Sequence, residues 1–327
     1  MRAFTVPGLL AAAERVSSLG WLMLACLIGI FVLVIGFLAL ALIKSHRRQR
    51  PGAAAPAAAH EPGIGPGTDR RLTRGVVTAV AATVVMLLVL LFAGVRMQRP
   101  APPPAAGEDA LEVEVTGHQW WWEIVYPAAG PQPAAVTANE LHIPVGRPVK
   151  IRGTSRDVVH GFSVPSLGGS MDLIPGRYSD LWIQAGEPGV YRGQCAEFCG
   201  EQHAHMAFLV VAEPPEEFEA WLAAQRRPAA DPDTPQERRG RQVFLSSSCP
   251  TCHTLAGTTR ETSRIGPDLT HLAGRRTLGG ATLPNDRGNL AGWIVDPQRI
   301  KPGNRMPPNL LKPEDLQALL DYLESLE

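Results

Sequence analysis

The chain has 327 residues, of which 45% are hydrophobic and 19% charged, and its formal net charge is zero. This length allows about two domains, or more if part of the chain lies in a membrane. A neutral chain gives no reason to expect a polyanionic partner, so we predict no binding to nucleic acid.

Two uncharged apolar runs in the first hundred residues are long enough to cross a lipid bilayer. They cover residues 20–43 and 75–95, and a transmembrane helix needs roughly 20 apolar residues. A buried helix of a soluble protein is the alternative for each run, but two runs so close together favour a transmembrane hairpin. We therefore assign residues 1–99 to an N-terminal tail and this hairpin.

The segment between the two runs, residues 44–74, predicts the orientation of the hairpin. It holds seven Lys and Arg residues, whereas Glu61 and Asp69 are its only acidic residues. Such an excess of positive charge is typical of cytoplasmic loops. We expect a multi-pass protein of a bacterial inner membrane, with the C-terminal part of the chain on the periplasmic side.

Residues 108–226 have the pattern of an all-β domain. Short apolar or alternating segments predict strands at residues 111–115, 140–144, 148–153, 179–183, 189–193 and 207–211. Gly and Pro separate these segments, and many short strands at this spacing are typical of a β-sandwich or barrel. The three consecutive tryptophans Trp120 to Trp122 cannot all face one core from a strand. At least one of these rings should be solvent-facing or at an interface.

A cluster of soft metal ligands lies within residues 193–206, where Cys195, Cys199, His203 and Met206 follow one another at spacings of four, four and three residues. Thiolate, imidazole and thioether are the ligands that copper selects. A local disulfide, one face of a buried helix and a structural zinc site are the alternatives. The glycines that bracket the cysteines favour a loop over a helix.

A copper site in this loop needs a second imidazole from elsewhere in the chain. His160 is the candidate, within the sequence Asp-Val-Val-His-Gly-Phe. His118, His142 and His205 are its rivals. A hydrogen-bonded histidine of the core is the alternative role for His160.

A second cofactor motif follows a Pro- and Asp-rich linker at residues 227–235. Cys249-Pro250-Thr251-Cys252-His253 is the attachment pattern of c-type haem. In such a site the thiols of Cys249 and Cys252 add to the haem vinyl groups, and the imidazole of His253 binds the iron. Redox dithiol motifs share the two-residue gap and are the alternative.

Met306 is the predicted sixth ligand of the haem iron, because it lies in a Pro- and Gly-rich loop beyond the attachment motif. Ligation by His and Met raises the haem potential. His271 is the rival for this position. A final helix should begin near Pro313, with leucines on one face, so residues 236–327 are predicted to form a mainly-α domain.

Several segments together resemble subunit II of haem-copper cytochrome c oxidases. They are residues 117–122, 157–162, 168–177 and 195–206, and with the hairpin the resemblance covers roughly residues 20–225. It implies a cupredoxin fold that holds a binuclear copper A centre, so the whole chain would be a multidomain membrane protein.

The same resemblance implies roles for individual residues. Cys195 and Cys199 would bridge both copper ions, and the remaining ligands would be His160, His203, Met206 and the backbone carbonyl of Glu197. The side chain of Glu197 would face a magnesium ion shared with subunit I. Trp120 would be the aromatic residue through which electrons arrive.

The C-terminal segment resembles class I cytochromes c across about residues 236–327. The resemblance rests on residues 266–269, the loop of Met306 and the final helix. It implies covalent haem c with His253 and Met306 as axial ligands. The complete chain then resembles a subunit II fused to a cytochrome c domain, as in caa3-type oxidases.

We therefore expect the electron-input subunit of a respiratory cytochrome c oxidase. A cytochrome c would be the donor, and subunit I, with the other oxidase subunits, would reduce oxygen to water and pump protons. A stand-alone, membrane-anchored periplasmic electron-transfer protein is the alternative. A quinol-oxidase subunit would share the fold but normally lacks the copper ligands that this sequence retains.

The distribution of charge predicts an attraction between the two periplasmic domains. Residues 108–213 hold 13 acidic and 6 basic residues, which gives −7, whereas residues 236–327 hold 12 basic and 10 acidic residues, which gives +2. Opposite net charges favour docking. Salt screens such an attraction beyond about 8–10 Å.

Overall fold

The computed structural model describes residues 9–48, 66–97, 110–259 and 264–327. Our predictions for residues 1–8, for the middle of the 44–74 loop and for the start of the β-domain at residues 108–109 lie outside these described residues. The chain divides into a helical unit, Leu10–Ala101, and a larger unit that includes Pro102–Glu327.

The helical unit consists of two long helices, α1 (Leu9–Arg48) and α2 (Pro66–Met97). Each contains an apolar stretch long enough to cross a membrane, Gly20–Lys44 in the first and Thr73–Arg96 in the second. These stretches include the runs predicted at residues 20–43 and 75–95. None of their side chains is buried within the protein, which is what a helix surrounded by lipid requires.

The larger unit begins with a sandwich of two five-stranded sheets. Its strands are β1 (Leu111–His118), β2 (Trp121–Tyr126), β3 (Ala135–Ala138), β4 (Glu140–Pro144), β5 (Val149–Ser155), β6 (His160–Val164), β7 (Gly169–Leu173), β8 (Ser179–Ile183), β9 (Gly189–Cys195) and β10 (Ala207–Glu213). The sheet orders are β3-β2-β1-β5-β8 and β4-β10-β9-β6-β7. The pairs β1–β5 and β4–β10 are parallel.

Alternation of side chains explains how these strands form a sandwich. Along β1, Leu111, Val113 and Val115 are buried, whereas the glutamates between them are exposed. One hydrophobic cluster takes side chains from both sheets. At its centre the ring of Trp122 lies 5.4 Å from Phe162 and 5.3 Å from Phe208, measured between centroids.

At least one ring of the three tryptophans was expected to be solvent-facing or at an interface, and the structure agrees with the interface. No ring is solvent-facing, since Trp120, Trp121 and Trp122 are 9%, 9% and 0% exposed. Trp122 enters the sandwich core. Trp120 and Trp121 instead line a pocket together with residues of the C-terminal segment, so they lie at an interface within the chain.

The remainder of the larger unit is mainly helical. Its elements are α3 (Pro215–Gln225), α4 (Pro235–Ser246), the short strands β11 (Thr277–Leu278) and β12 (Leu283–Pro284), α5 (Arg287–Val295), α6 (Pro297–Ile300) and α7 (Pro313–Glu324). A capping box formed by Thr234 and Glu237 begins α4. Eleven buried side chains between Phe244 and Leu326 form a hydrophobic cluster separate from that of the sandwich.

Helices α4 and α7 approach each other at Gly240. A Cβ atom at this position would lie 1.9 Å from the carbonyl oxygen of Ala318, so only glycine allows the two backbones to meet. Helix α7 is the last helix predicted from the sequence, and it begins at Pro313 as expected. Together with α4 it forms the frame of the C-terminal segment.

Candidate functional site

Cys195 and Cys199 lie side by side where β9 ends. Cys195 is the last residue of β9, and Cys199 belongs to the loop that leads to β10. Both side chains are buried free thiols, and their Sγ atoms are 3.7 Å apart. A disulfide requires about 2.05 Å, so the two sulfurs are not bonded to each other. The segment is a loop, as its glycines predicted.

Each of the two sulfurs has one imidazole nitrogen and one weaker donor beside it. Next to the first cysteine lie Nδ1 of His160 at 3.9 Å and the backbone oxygen of Glu197 at 3.2 Å. Next to the second lie Nδ1 of His203 at 3.6 Å and Sδ of Met206 at 3.8 Å. The structure thus brings together all six donor groups expected from the sequence.

His160 is held in place by a carboxylate that the sequence analysis did not assign a role. Its Nε2 atom lies 2.9 Å from Oδ1 of Asp157, in the turn that precedes β6. Asp157 also accepts hydrogen bonds from the backbone N–H groups of Gln119 and Val158, both at 2.8 Å. This carboxylate fixes the ring so that Nδ1 faces the sulfurs, the usual arrangement behind a metal-binding histidine.

The protonation of this cluster follows from its contacts. Burial lowers the pKa of His160, but the hydrogen bonds with Asp157 and Cys195 outweigh it, so the net shift is upward. The hydrogen bond between the two thiols lowers the pKa of Cys195 and raises that of Cys199, so the first proton leaves this pair more readily than the second.

The rival histidines have partners elsewhere. His118 stacks on Trp121 with ring centroids 4.2 Å apart, and His142 stacks on Trp221 at 4.0 Å. Nδ1 of His205 lies 2.8 Å from the side-chain oxygen of Gln202. The side chain of Glu197, for which magnesium was expected, is exposed, and only its backbone oxygen joins the donor cluster.

The haem motif lines a pocket in the C-terminal segment. Cys249, Cys252, His253 and Met306 all contribute to its wall. Nδ1 of His253 lies 2.7 Å from the carbonyl oxygen of Pro267. Because a carbonyl can only accept, Nδ1 carries the proton and Nε2 keeps its lone pair. Burial lowers the pKa of His253, so the ring is neutral and suited to bind iron.

The loop of Met306 forms another part of the pocket wall. Asn304 accepts a hydrogen bond from the backbone N–H of Met306 at 2.8 Å, and Gln298 donates to the carbonyl oxygen of Met306 at 2.8 Å. His271, the rival ligand, has both ring nitrogens within 3.1 Å of carbonyl oxygens, those of Arg227 and Glu327. It is not among the residues of the pocket wall.

Arg275 is a further residue of this pocket that the sequence analysis missed. Its side chain forms part of the wall, and its Nε atom is buried without a hydrogen-bond partner among the described residues. An unpaired buried donor is costly unless a ligand satisfies it. An acidic group on a ligand of this apolar pocket would do so, and haem carries such groups in its propionates. The donor set therefore fits haem.

Trp120 lies between the two sites. Its ring lines the pocket of the haem motif, and its Nε1–H donates to the carbonyl oxygen of Cys199 at 3.0 Å. The side chain of Gln119 donates to the same oxygen at 2.9 Å. The residue selected by resemblance thus contacts a copper-ligand candidate on one side and the haem pocket on the other.

Comparisons with known proteins agree with this arrangement. Residues 129–213 match the family model of the periplasmic domain of cytochrome c oxidase subunit II, and residues 237–327 match that of cytochrome c. This chain belongs to the cytochrome c oxidase subunit II family. It carries a cytochrome c domain after the subunit II domain.

Individual members of the subunit II family support the same conclusion. Cytochrome c oxidase subunit 2 of Alkalihalophilus pseudofirmus is 39% identical over 228 residues, which cover 69% of this chain and 64% of that protein. The protein of the same name from Bacillus subtilis is 31% identical, with 67% and 63% covered. The matched region thus spans just under two thirds of the length of these curated relatives.

A solved structure of a subunit II domain is also similar in sequence to part of this chain. The periplasmic domain of subunit II of cytochrome oxidase from Bradyrhizobium japonicum is 32% identical. The match covers 38% of this chain and 96% of that chain, with a TM-score of 0.34. Family membership implies copper in the sandwich domain and haem in the cytochrome c domain, and the donor residues described above have the chemistry that each group needs.

Proposed function

We propose that this chain is the electron-input subunit of a membrane-bound respiratory cytochrome c oxidase. Electrons from a cytochrome c would reach a covalent haem c and then a binuclear copper A centre. Subunit I would take them from there to reduce oxygen to water, coupled to proton pumping. When bound, haem and copper supply one-electron redox chemistry, and the side chains of this chain hold and orient them.

The paired arrangement around the two sulfurs carries this proposal. A single tetrahedral zinc ion with Zn–S bonds of 2.3 Å would need its four donor atoms about 3.8 Å from one another. A ring nitrogen of His160 and the two sulfurs meet within 4.8 Å, but His203 is outside that cluster and approaches Cys199. Two ions held between Cys195 and Cys199 would each have one imidazole nearby, whereas a single ion could not reach both imidazoles.

The roles of single residues complete the proposal for copper. His160 and His203 would each bind one ion through Nδ1, while Met206 and the carbonyl oxygen of Glu197 would be weak ligands that tune the potential, as axial ligands do in blue copper sites. The exposed carboxylate of Glu197 would be available to a magnesium ion shared with subunit I.

For haem, Cys249 and Cys252 would form the thioether bonds, and His253 and Met306 would be the axial ligands. The hydrogen bond from His253 to Pro267 orients the ring for this task. Trp120, in contact with the pocket and with the backbone of Cys199, would be the residue through which electrons pass between the two domains.

The two apolar helices would anchor these domains to the outer face of the bacterial inner membrane. Their apolar stretches have 25 and 24 residues, enough to cross the hydrocarbon core. The Lys and Arg excess between them would keep their connection in the cytoplasm.

Cofactor content tests the proposal directly. We expect two copper ions and one covalent haem per purified chain, measured by metal analysis, haem absorbance and paramagnetic resonance. His203→Ala should abolish the copper A resonance, whereas His205→Ala should retain it, because His205 is engaged by Gln202. A colourless, zinc-containing sandwich domain would contradict the proposal.

Purification in mild detergent tests the assignment to an oxidase. We expect subunit I, haem a and oxygen consumption to accompany the chain. If both cofactors are present but these three are absent, the chain is instead a stand-alone, membrane-anchored periplasmic electron-transfer protein.

A further inference from the structure

A lysine is buried where the cytochrome c domain meets the sandwich. Lys301 is 2% exposed, and its ammonium group donates to the carbonyl oxygens of Trp120 at 2.7 Å, His205 at 2.7 Å and Gly279 at 2.8 Å. Three acceptors match the three protons of the group. No carboxylate lies within ion-pair distance of it in the part of the chain that the structure describes.

The three acceptors come from three parts of the electron-transfer apparatus proposed above. Trp120 belongs to the aromatic segment, and His205 lies in the turn between two copper-ligand candidates. Gly279 lines the haem pocket of the cytochrome c domain. Lys301 itself precedes the loop of Met306 by a few residues. The side chain of Lys301 therefore forms hydrogen bonds with backbone carbonyl groups next to both candidate sites.

A second buried side chain extends from the sandwich to the cytochrome c domain. Glu140 of the sandwich is 1% exposed, and its Oε1 atom accepts hydrogen bonds from the backbone N–H groups of Arg276 at 2.7 Å and Thr277 at 2.9 Å. The hydroxyl of Thr277 donates to the same oxygen at 3.2 Å. Each domain thus places one buried ionisable side chain against backbone groups of the other.

The backbones also approach closely beside Lys301. The N–H of Ala207 donates to the carbonyl oxygen of Gly280 at 3.2 Å. A Cβ atom at Gly280, which has a φ of 75°, would lie 3.1 Å from Nζ of Lys301 and 3.2 Å from the carbonyl oxygen of His205. A side chain at position 280 would therefore press on the very groups that form the contact.

From these contacts we propose that Lys301 is a positioning residue, which fixes the cytochrome c domain on the sandwich in one orientation. A buried ion pays a large desolvation cost, and only a complete set of acceptors offsets it. An orientation that buried Lys301 without these carbonyl groups would be disfavoured, whereas the undocked lysine would be hydrated. The ammonium group thus selects the docked orientation against competing ones.

Hydrogen exchange in the full chain, loaded with copper and haem in detergent, tests this role. The amides of Ala207, Arg276 and Thr277 report on docking, because each donates across the interface. In Lys301→Met, which keeps the length of the side chain but not its charge, these amides should exchange at least about tenfold faster. Lys301→Gln, which keeps one donor group, should be intermediate.

Two controls separate docking from folding. Lys312→Met replaces an exposed lysine of the same domain and should leave the three amides unchanged. Amides within β1 and within α4 should keep wild-type exchange in every variant. The inference is overturned if Lys301→Met leaves the three amides at wild-type rates, or if α4 and α7 exchange faster to the same extent.

A consequence for electron transfer rests on the proposed function. If electrons cross this interface, Lys301→Met should slow the transfer from haem to copper after flash photolysis by about tenfold or more, at unchanged cofactor content. Faster exchange of the three amides with an unchanged transfer rate would support the positioning role and contradict the proposed route through Trp120.

Discussion

The candidate copper site and the candidate haem site differ in what holds their donor groups. The donors of the candidate copper site lie beside the sulfurs of Cys195 and Cys199, and the loop that carries most of them joins the adjacent strands β9 and β10. The ligands of the haem pocket instead line a cavity and are held individually by neighbours such as Pro267 and Asn304. The first site is buried in a sandwich that has a large apolar core besides it, whereas the residues of the second site line a cavity within their domain.

This difference indicates how far each domain depends on its cofactor. The sandwich has a continuous hydrophobic core of its own, with Trp122 and Phe208 at its centre. The cytochrome c domain has few regular elements between α4 and α5, so haem would supply a large part of its core. We expect the copper site to tolerate loss of its metal and the haem domain not to tolerate loss of haem.

The largest expected effect comes from removing the attachment cysteines. Cys249→Ser combined with Cys252→Ser should eliminate covalent haem and destabilise residues 236–327 by more than about 4 kcal/mol, an exceptional effect that needs a cause as large as the loss of a bound structural group. Hydrogen exchange of α4 and α7 measures the destabilisation, and haem staining on a denaturing gel measures attachment.

The matched change in the sandwich is Cys195→Ser combined with Cys199→Ser. It should abolish the copper signals while the β1 and β5 amides keep their slow exchange, because the ladder between these strands does not involve the metal. If the two double variants destabilised their domains equally, the two domains would not differ in how far they depend on their cofactors.

A smaller effect is expected from Gly240→Ala. The new Cβ atom would lie 1.9 Å from the carbonyl oxygen of Ala318, and overpacking of this kind costs about 1–3 kcal/mol. Gly292→Ala in α5 is the matched control, since nothing lies within 4 Å of a Cβ atom there. It should stabilise the helix by about 0.5–1 kcal/mol.

Denaturant unfolding followed by haem absorbance distinguishes these two glycine variants. Opposite shifts of the midpoint are expected. Shifts of the same sign would mean that the approach of α4 to α7 does not frame the haem pocket.

The last effect concerns metal affinity rather than stability and is expected at Asp157, which holds the ring of His160. Asp157→Asn keeps an oxygen that can accept from Gln119 but removes the charge next to His160. Loss of such a partner typically lowers metal affinity by about 10–100-fold, which competition with a copper chelator measures. Asp172→Asn, an exposed change on β7, should leave affinity unchanged, and an equal loss in both variants would show that overall charge matters instead.

The predictions from sequence succeeded where the chemistry is local. Residues 195–206 and 249–253 hold their ligands at short spacings, so both motifs are evident without a structure. The strands at residues 140–144 and 179–183 were also predicted to the residue. Strands β2, β3, β6 and β7 were not predicted. Tryptophans interrupt the alternation in β2, and Gly and Ser interrupt it in β6 and β7, whereas β3 has only four residues.

The buried contacts of the interface between the two domains could not be predicted from charge counts. Net charges of −7 and +2 predict an attraction, and two ion pairs do cross the interface, Arg264 with Glu123 at 3.2 Å and Arg305 with Asp157 at 3.5 Å. The buried contacts are of another kind, a lysine on carbonyl groups and a glutamate on N–H groups. In the sequence, Lys301 and Glu140 are indistinguishable from solvent-exposed charges. The role of Asp157 could not be predicted either, since it depends on the turn that brings this carboxylate to His160.

The short connection between the domains has a consequence of its own. Only residues 226–234 separate α3 from α4, so the cytochrome c domain stays within a small volume around the sandwich. A tether of this length gives an effective concentration in the millimolar range. A contact too weak to join two separate proteins would then remain occupied most of the time, and its occupancy would not depend on how much of the protein the cell contains.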